Sequence, residues 1–131
     1  MQNYEYVRQN WQKLKEKEAG AEKRPSSLLK SLPANLPALM RAHRMNERVY
    51  RMGLGLSEEE TRAKMAEAWK TLSLALDQGD KDPIGETMGD ILFTLAGLAR
   101  HRGLDAEHLL REKNRKFLQK LEESEKKEVE G

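Results

Sequence analysis

The stretch SEEETRAKMAEAWKTLSLALDQGDKDPIGETMGDILFTLAGLARHRG, residues 57–103, decides the fold. Ser57 and Glu60 stand three apart, the spacing at which a Ser hydroxyl accepts the N3 amide while the N3 carboxylate reaches back to the Ser amide. A helix therefore starts there, and Met65, Trp69, Leu72 and Leu76 recur at helical spacing as its expected buried stripe. It stops at the turn cluster Asp77-Gln78-Gly79-Asp80. Asp82-Pro83 reads as the next cap with Pro in the first helical position. Ile84, Met88, Ile91, Leu92, Leu95 and Leu98 then give the following helix the most apolar stripe in the chain, closed by Gly103. No segment alternates at the period of two that a half-buried strand requires.

Further along, Asp105 caps another helix whose stripe, Leu109, Leu110, Phe117 and Leu121, runs to about Glu122, leaving ESEKKEVEG as a charged tail. In the other direction, Asn35 reads as an N-cap with Pro37 in the first turn, and Leu36, Leu39, Met40, His43 and Val49 carry a helix to about Met52. Gly53 and Gly55 stop it. The run AGAEKRPSSLLKSLPAN, 19–35, has no sustained period and reads as a linker, and Tyr4, Val7, Trp11 and Leu14 define an amphipathic arm from Tyr4 to Glu18. The expected organisation is an N-terminal helical arm at 1–18, a linker at 19–35, a helical domain at 36–122 and a charged tail at 123–131. The expected class is all-α, four core helices plus the arm.

Composition narrows the rest. A chain of 131 residues holds one domain, and the absence of Cys excludes disulfides and thiolate metal sites. Lys and Arg number 24 against 22 Asp and Glu, a near cancellation that gives no global case for nucleic acid or a membrane surface as partner. No apolar run approaches spanning length and Met1–Trp11 has no leader pattern, so the expectation is a cytoplasmic protein. With 35% charged and 5% aromatic residues, each helix has one narrow stripe to bury, which predicts completion of the core by a homodimer or higher homo-oligomer.

There is no P-loop, no Rossmann glycine pattern, no Ser-His-Asp set and no metalloprotease helix. The succession LPALMRAHRMNERVYRMGL (36–54), the capped helix, ETMGDILFTLAGLARH (86–101) and REKNRKF (111–117) resembles the MazG family of nucleoside triphosphate pyrophosphohydrolases, specifically its catalytic repeat, from about Val7 to about Leu121. The resemblance implies an all-α bundle shared between subunits and cleavage of a nucleoside triphosphate to monophosphate and pyrophosphate with Mg²⁺. Its metal motif is E-E-x-x-E on one helix and E-x-x-D on the next, because Mg²⁺ wants hard oxygens that acids on two facing helices can converge. Laid on this chain the motif falls on Glu67, Ala68 and Thr71, then on Thr87 and Asp90, so three of the expected ligand positions are not acids. Glu86 and Asp90, four apart, share a helix face. A rearranged Mg²⁺ site would thus use Asp90, with Glu67 and Glu86 as substitutes and as the candidate catalytic acids. Asn114, Lys116 and Lys120 match the family's substrate-binding pattern, with Lys64 as a further phosphate contact.

Three functions follow as expectations: a MazG-like domain with weakened or lost catalysis that still binds nucleotide or serves assembly; an active Mg²⁺-dependent enzyme with the rearranged acids; or a protein–protein interaction module acting through its arm. Other features have plainer readings. Trp69 reads as core or subunit interface rather than a base-stacking platform. His43, His101 and His108 lie on three separate helices and would have to converge to bind zinc. Lys30, Arg41, Arg44, Arg48 and Arg51 read as a solvated basic face before a phosphate cleft or an RNA contact. Gly85, Gly89 and Gly97 suggest close helix approach, and Gly97 stands where the family often has Asn.

Overall fold

Residues 29–130 are the described residues of a computed structural model of the chain. Among them the elements are α1 (Ala38–Arg51), α2 (Glu58–Gln78), α3 (Lys81–His101) and α4 (Ala106–Glu130), with no strand. The all-α expectation holds. The expected arm, 1–18, and the first part of the linker, 19–28, lie outside the described residues.

The helix ends follow from local chemistry. At α2 the capping box forms in both directions, Glu60 N to Ser57 Oγ at 3.0 Å and Ser57 N to Glu60 Oε1 at 3.0 Å. Asp105 Oδ1 accepts the amides of Glu107 at 3.0 Å and His108 at 3.4 Å and starts α4. After α1 and α3, Gly53 and Gly103 take φ of +77° and +69°, a conformation that costs a glycine little. The next amides then reach back into the helix, Leu54 to Val49 O at 3.1 Å and Leu104 to Ala99 O at 2.8 Å, which is a Schellman closure in each case.

Three boundaries differ from the sequence expectation. Helix α1 is capped at Pro37 with no side-chain hydrogen bond, so Asn35 is not its cap. Helix α3 begins at Lys81, with Asp80 as the cap, its carboxylate accepting Asp82 N at 3.4 Å; Asp82-Pro83 falls inside the first turn, where a proline's missing amide costs nothing. Helix α4 continues through the charged tail to Glu130. There Glu122 with Lys126 and Glu123 with Lys127 stand four apart in the favourable order for a solvated helix.

Helices α2 and α3 form the tightest pair, with α1 packed across α3 and α4 only lightly attached to both α1 and α3. A two-residue connection forces α2 and α3 antiparallel. Their far ends are tied as well, since Arg102 pairs with Glu58 and His101 Nε2 lies 3.0 Å from the Leu56 carbonyl. The buried apolar residues among those described are Leu32, Leu54, Leu72 and four alanines, Ala42, Ala75, Ala96 and Ala99, joined by Thr61, Thr87 and Thr94. Small side chains let the helices approach closely, and this shifts the expected stripes. On α2 the inward line passes through Thr61, Ala68, Leu72 and Ala75, while Trp69, 62% exposed, and Leu76 are outside. Trp69 is therefore not core within the single chain. On α3, Met88, Leu92 and Leu95 are exposed, with Ile84, Ile91 and Leu98 half-buried. On α4 no residue is buried, and Leu109, Leu110, Phe117 and Leu121 all face outward.

The basic face of α1 is partly spent on structure. Arg41 Nη1 donates to Pro33 O at 2.9 Å and Arg48 Nη1 to Ser31 Oγ at 2.7 Å, pinning the lead-in that buries Leu32. Arg51 pairs with Glu47 at 3.0 Å. No described helix is long and apolar enough to cross a membrane.

Candidate functional site

The α2–α3 hairpin fixes the levels at which its side chains meet. Thr71 and Thr87 lie eight residues before and after Gly79, and Ala68 and Asp90 lie eleven before and after it. With a rise of about 1.5 Å per residue, each pair stands at one height, roughly 12 Å and 16 Å from the turn. The two halves of the motif are thus brought level, as two facing metal half-sites would be.

Of the four residues at those levels, Asp90 alone is an acid. Thr87 is 6% exposed and its Oγ1 donates to Pro83 O at 2.7 Å, while Thr71 Oγ1 donates to Glu67 O at 3.1 Å. Each hydroxyl proton is committed to the preceding turn of its own helix, a bond that satisfies the side chain without any partner across the seam. Ala68 has nothing to offer an ion. Glu67, Glu86 and Asp90 are all exposed. Among the described residues, no group of three or more His, Cys, Asp or Glu side chains stands close enough to hold a metal ion. The donor set therefore does not fit Mg²⁺, which is held by converging carboxylates and water in octahedral array. Glu67, Glu86 and Asp90 are not assembled into one site in this chain.

The phosphate-side residues divide by face. Lys116 and Lys120, four apart and exposed on α4, project together, joined by Lys113; Asn114, two residues from Lys116, points about 160° away at roughly 100° per residue. Asn114 instead falls within the outward apolar stripe of Leu110, Phe117 and Leu121. Nearby, the Arg115 guanidinium donates to Glu112 at 3.1 Å and holds that carboxyl below the usual carboxylate range, first by the hydrogen bond and then by its charge. Lys64 lies elsewhere, on α2.

Lys64 lines a cleft of about 320 Å³ between α1, α2 and α3, a feature that sequence spacing did not reveal. Its walls include Met45, Val49, Tyr50, Leu54 and Phe93, and its polar groups include Asn46, Thr94 and Arg100. One relay orders its rim. The Leu56 carbonyl takes the Nε2 proton of His101 at 3.0 Å, which leaves Nδ1 to accept from Arg100 Nη2 at 3.3 Å, and the guanidinium lies 4.2 Å from the Tyr50 ring centroid. Tyr50 meets the His101 ring edge-on at 5.6 Å. His43 is engaged separately, with Nε2 3.9 Å from Glu47 and Nδ1 buried without a hydrogen-bond partner among the described residues. Of the three glycines on α3, Gly85 and Gly89 face open space and only Gly97 is closely approached, by Asn46.

An all-α hairpin with two level half-sites and an adjoining cleft is the class of architecture these residues define. No family model matches the chain. It is 33% identical, over 131 aligned residues, to the nucleoside triphosphate pyrophosphohydrolase of Escherichia coli strain K12, covering 95% of this chain and 48% of that protein. It is 31% identical over 121 residues to the nucleoside triphosphate pyrophosphohydrolase/pyrophosphatase MazG of Thermotoga maritima, covering 92% of this chain and 46% of that protein. The chain spans about half the length of the curated relatives it matches, and over that half it is their homologue.

Proposed function

We propose that the chain is a MazG-like nucleoside triphosphate pyrophosphohydrolase domain in which catalysis is weakened or lost while nucleotide or phosphate binding, or a role in assembly, is kept. The homologues named for that activity support the family reading. The observation that carries the loss is the neutral seam: Ala68, Thr71 and Thr87 occupy motif positions that need acids, and both threonine hydroxyls are bound to their own helices. Asp90 and Glu67, the two acids left at motif positions, can neither gather Mg²⁺ nor offset a triphosphate's charge. Retained binding would rest on Lys116, Lys120 and Lys64, with Asn114 turned to the other face of α4.

The reading includes a homodimer. Outward Leu109, Leu110, Phe117, Leu118 and Leu121 on α4, with Trp69 and Leu76 on α2, form more apolar surface than a lightly attached helix pair covers, and such faces mark association. Sedimentation at micromolar concentration tests this, and a stable monomer would remove it.

The functional test is calorimetric titration of a nucleoside triphosphate and its non-hydrolysable analogue, with and without Mg²⁺, with pyrophosphate assayed in the same samples. Binding without turnover supports the proposal. Turnover that disappears in Asp90→Ala would instead favour a rearranged acidic site built on Glu67, Glu86 and Asp90. Silence in both channels would leave an interaction module.

A further inference from the structure

The cleft beside the hairpin contains one pairing that its neutral seam does not explain. Gly97 on α3 has no side chain, and a Cβ placed there would stand 3.0 Å from Asn46 Oδ1 and 3.3 Å from Asn46 Cγ. The Asn46 carboxamide of α1 therefore fills the space that a residue at 97 would occupy. Its orientation is fixed chemically, because Nδ2 donates to the Ala42 carbonyl at 2.8 Å and a carbonyl can only accept. That leaves Oδ1 directed to the Gly97 side, where it takes no hydrogen bond among the described residues. Asn46 lines the cleft and is only half-buried, so this acceptor is open to a donor from an occupant, which would take the place of water.

The remaining walls say what kind of occupant. Phe93, more than two-fifths exposed, offers an aromatic face, Tyr50 stands beside it with Arg100 over one face of its ring, and Val49 and Leu54 give the apolar bed. Arg100, held by the His101–Leu56 relay, sets a fixed positive charge at the rim. A volume near 320 Å³ lies in the range of small-molecule sites. From these features we infer that the cleft holds the base of a nucleotide whose ring carries an exocyclic amino group, with Asn46 as the specificity-determining residue. The amino N–H donates to Asn46 Oδ1, the ring lies on the aromatic and aliphatic walls, and the anionic end leaves past Arg100. A ring with a carbonyl at the same place would set oxygen against oxygen. This assignment rests on the nucleotide-binding reading above and names the base that reading leaves open.

The test titrates the full chain calorimetrically with cytidine and uridine monophosphate, then with adenosine and inosine monophosphate, each pair differing by amino against carbonyl. A separate titration with tripolyphosphate reports the phosphate side without any base. The expected result is about tenfold tighter binding of the amino member of a pair, the value of one hydrogen bond. Asn46→Ala abolishes the difference. Gly97→Ala, which drives a methyl against Oδ1, reduces it without altering the residue that reads the base, and thermal melts followed by circular dichroism check that both variants fold. Equal affinities within both pairs, discrimination that survives Asn46→Ala, or no binding of any monophosphate would each overturn the assignment. Tripolyphosphate binding with no base discrimination leaves the nucleotide-binding reading standing without it. Base discrimination without tripolyphosphate binding keeps the assignment and removes the phosphate role of the α4 lysines.

Discussion

If the α2–α3 seam is a metal site emptied of its acids, then returning them should return the ion. The perturbation is the triple variant Ala68→Glu, Thr71→Glu, Thr87→Glu, which puts carboxylates beside Glu67 and Asp90 on two level half-sites. Without metal the variant is destabilised. Thr87 is 6% exposed, and a carboxylate there loses the bond to Pro83, worth about 1 kcal/mol, and faces like charge across the seam. With Mg²⁺ the sign reverses, because an ion that binds only the folded chain adds about 2.7 kcal/mol when present at a hundred times its dissociation constant. For a chain of 131 residues, each 1 kcal/mol moves the melting temperature by about 3–5 °C, so the variant should gain roughly 8–14 °C at that excess of Mg²⁺. The assay is a thermal melt followed by circular dichroism in rising Mg²⁺, against Ca²⁺ and sodium at matched ionic strength. The natural chain should show no such gain. An equal Mg²⁺-dependent gain in the natural chain would refute the reasoning, since the acids already present would then suffice.

Three further outcomes are expected. Ser57→Ala removes the hydroxyl half of the α2 capping box, the bond from Glu60 N to Ser57 Oγ, and leaves the backbone half to Glu60; it should cost about 1 kcal/mol in urea denaturation, with the slope unchanged. Leu72→Ala, at 7% exposure in a core otherwise built largely of alanine, should cost about 2–4 kcal/mol by the same measurement, because few large neighbours can collapse into the space. The depressed carboxyl of Glu112 contributes stability that is complete above the unfolded value of about 4.5 and is lost as pH falls through the lower folded value; Glu112→Gln should flatten that part of the stability curve, and an unchanged acid limb would contradict it.

Much of this was legible in residue order. The capping box at Ser57, the turn at Gly79 and the cap at Asp105 are local chemistry, readable wherever the side chain that makes the bond lies within a few residues. Asp82-Pro83 misled because a neighbouring acid, Asp80, takes the cap of α3, and Asn35 misled because α1 starts after Pro37 with no side-chain cap at all. The stripe of α2 was displaced by one residue for a different reason. Periodicity weighs large apolar side chains, so it selected Trp69 and Leu76, whereas a two-residue connection pulls α2 and α3 together and favours Ala68 and Ala75 at the seam. That Ala68, Thr71 and Thr87 fall where the resembled motif has acids was visible in the sequence; that the threonine hydroxyls bond within their own helices needed coordinates. Nothing in the spacing of Asn46 and Gly97, fifty-one residues apart, could have paired them. Only the crossing of α1 over α3 does that.

The central claim is that this homologue of nucleoside triphosphate pyrophosphohydrolases lacks the carboxylates its chemistry would need. It is tested most directly by measuring pyrophosphate release from the four ribonucleoside and four deoxyribonucleoside triphosphates with Mg²⁺ or Mn²⁺, for the natural chain beside Asp90→Ala. The account predicts release no greater than that of the Asp90→Ala protein for every substrate. Release that is well above it, and that falls away with Asp90, would contradict the account.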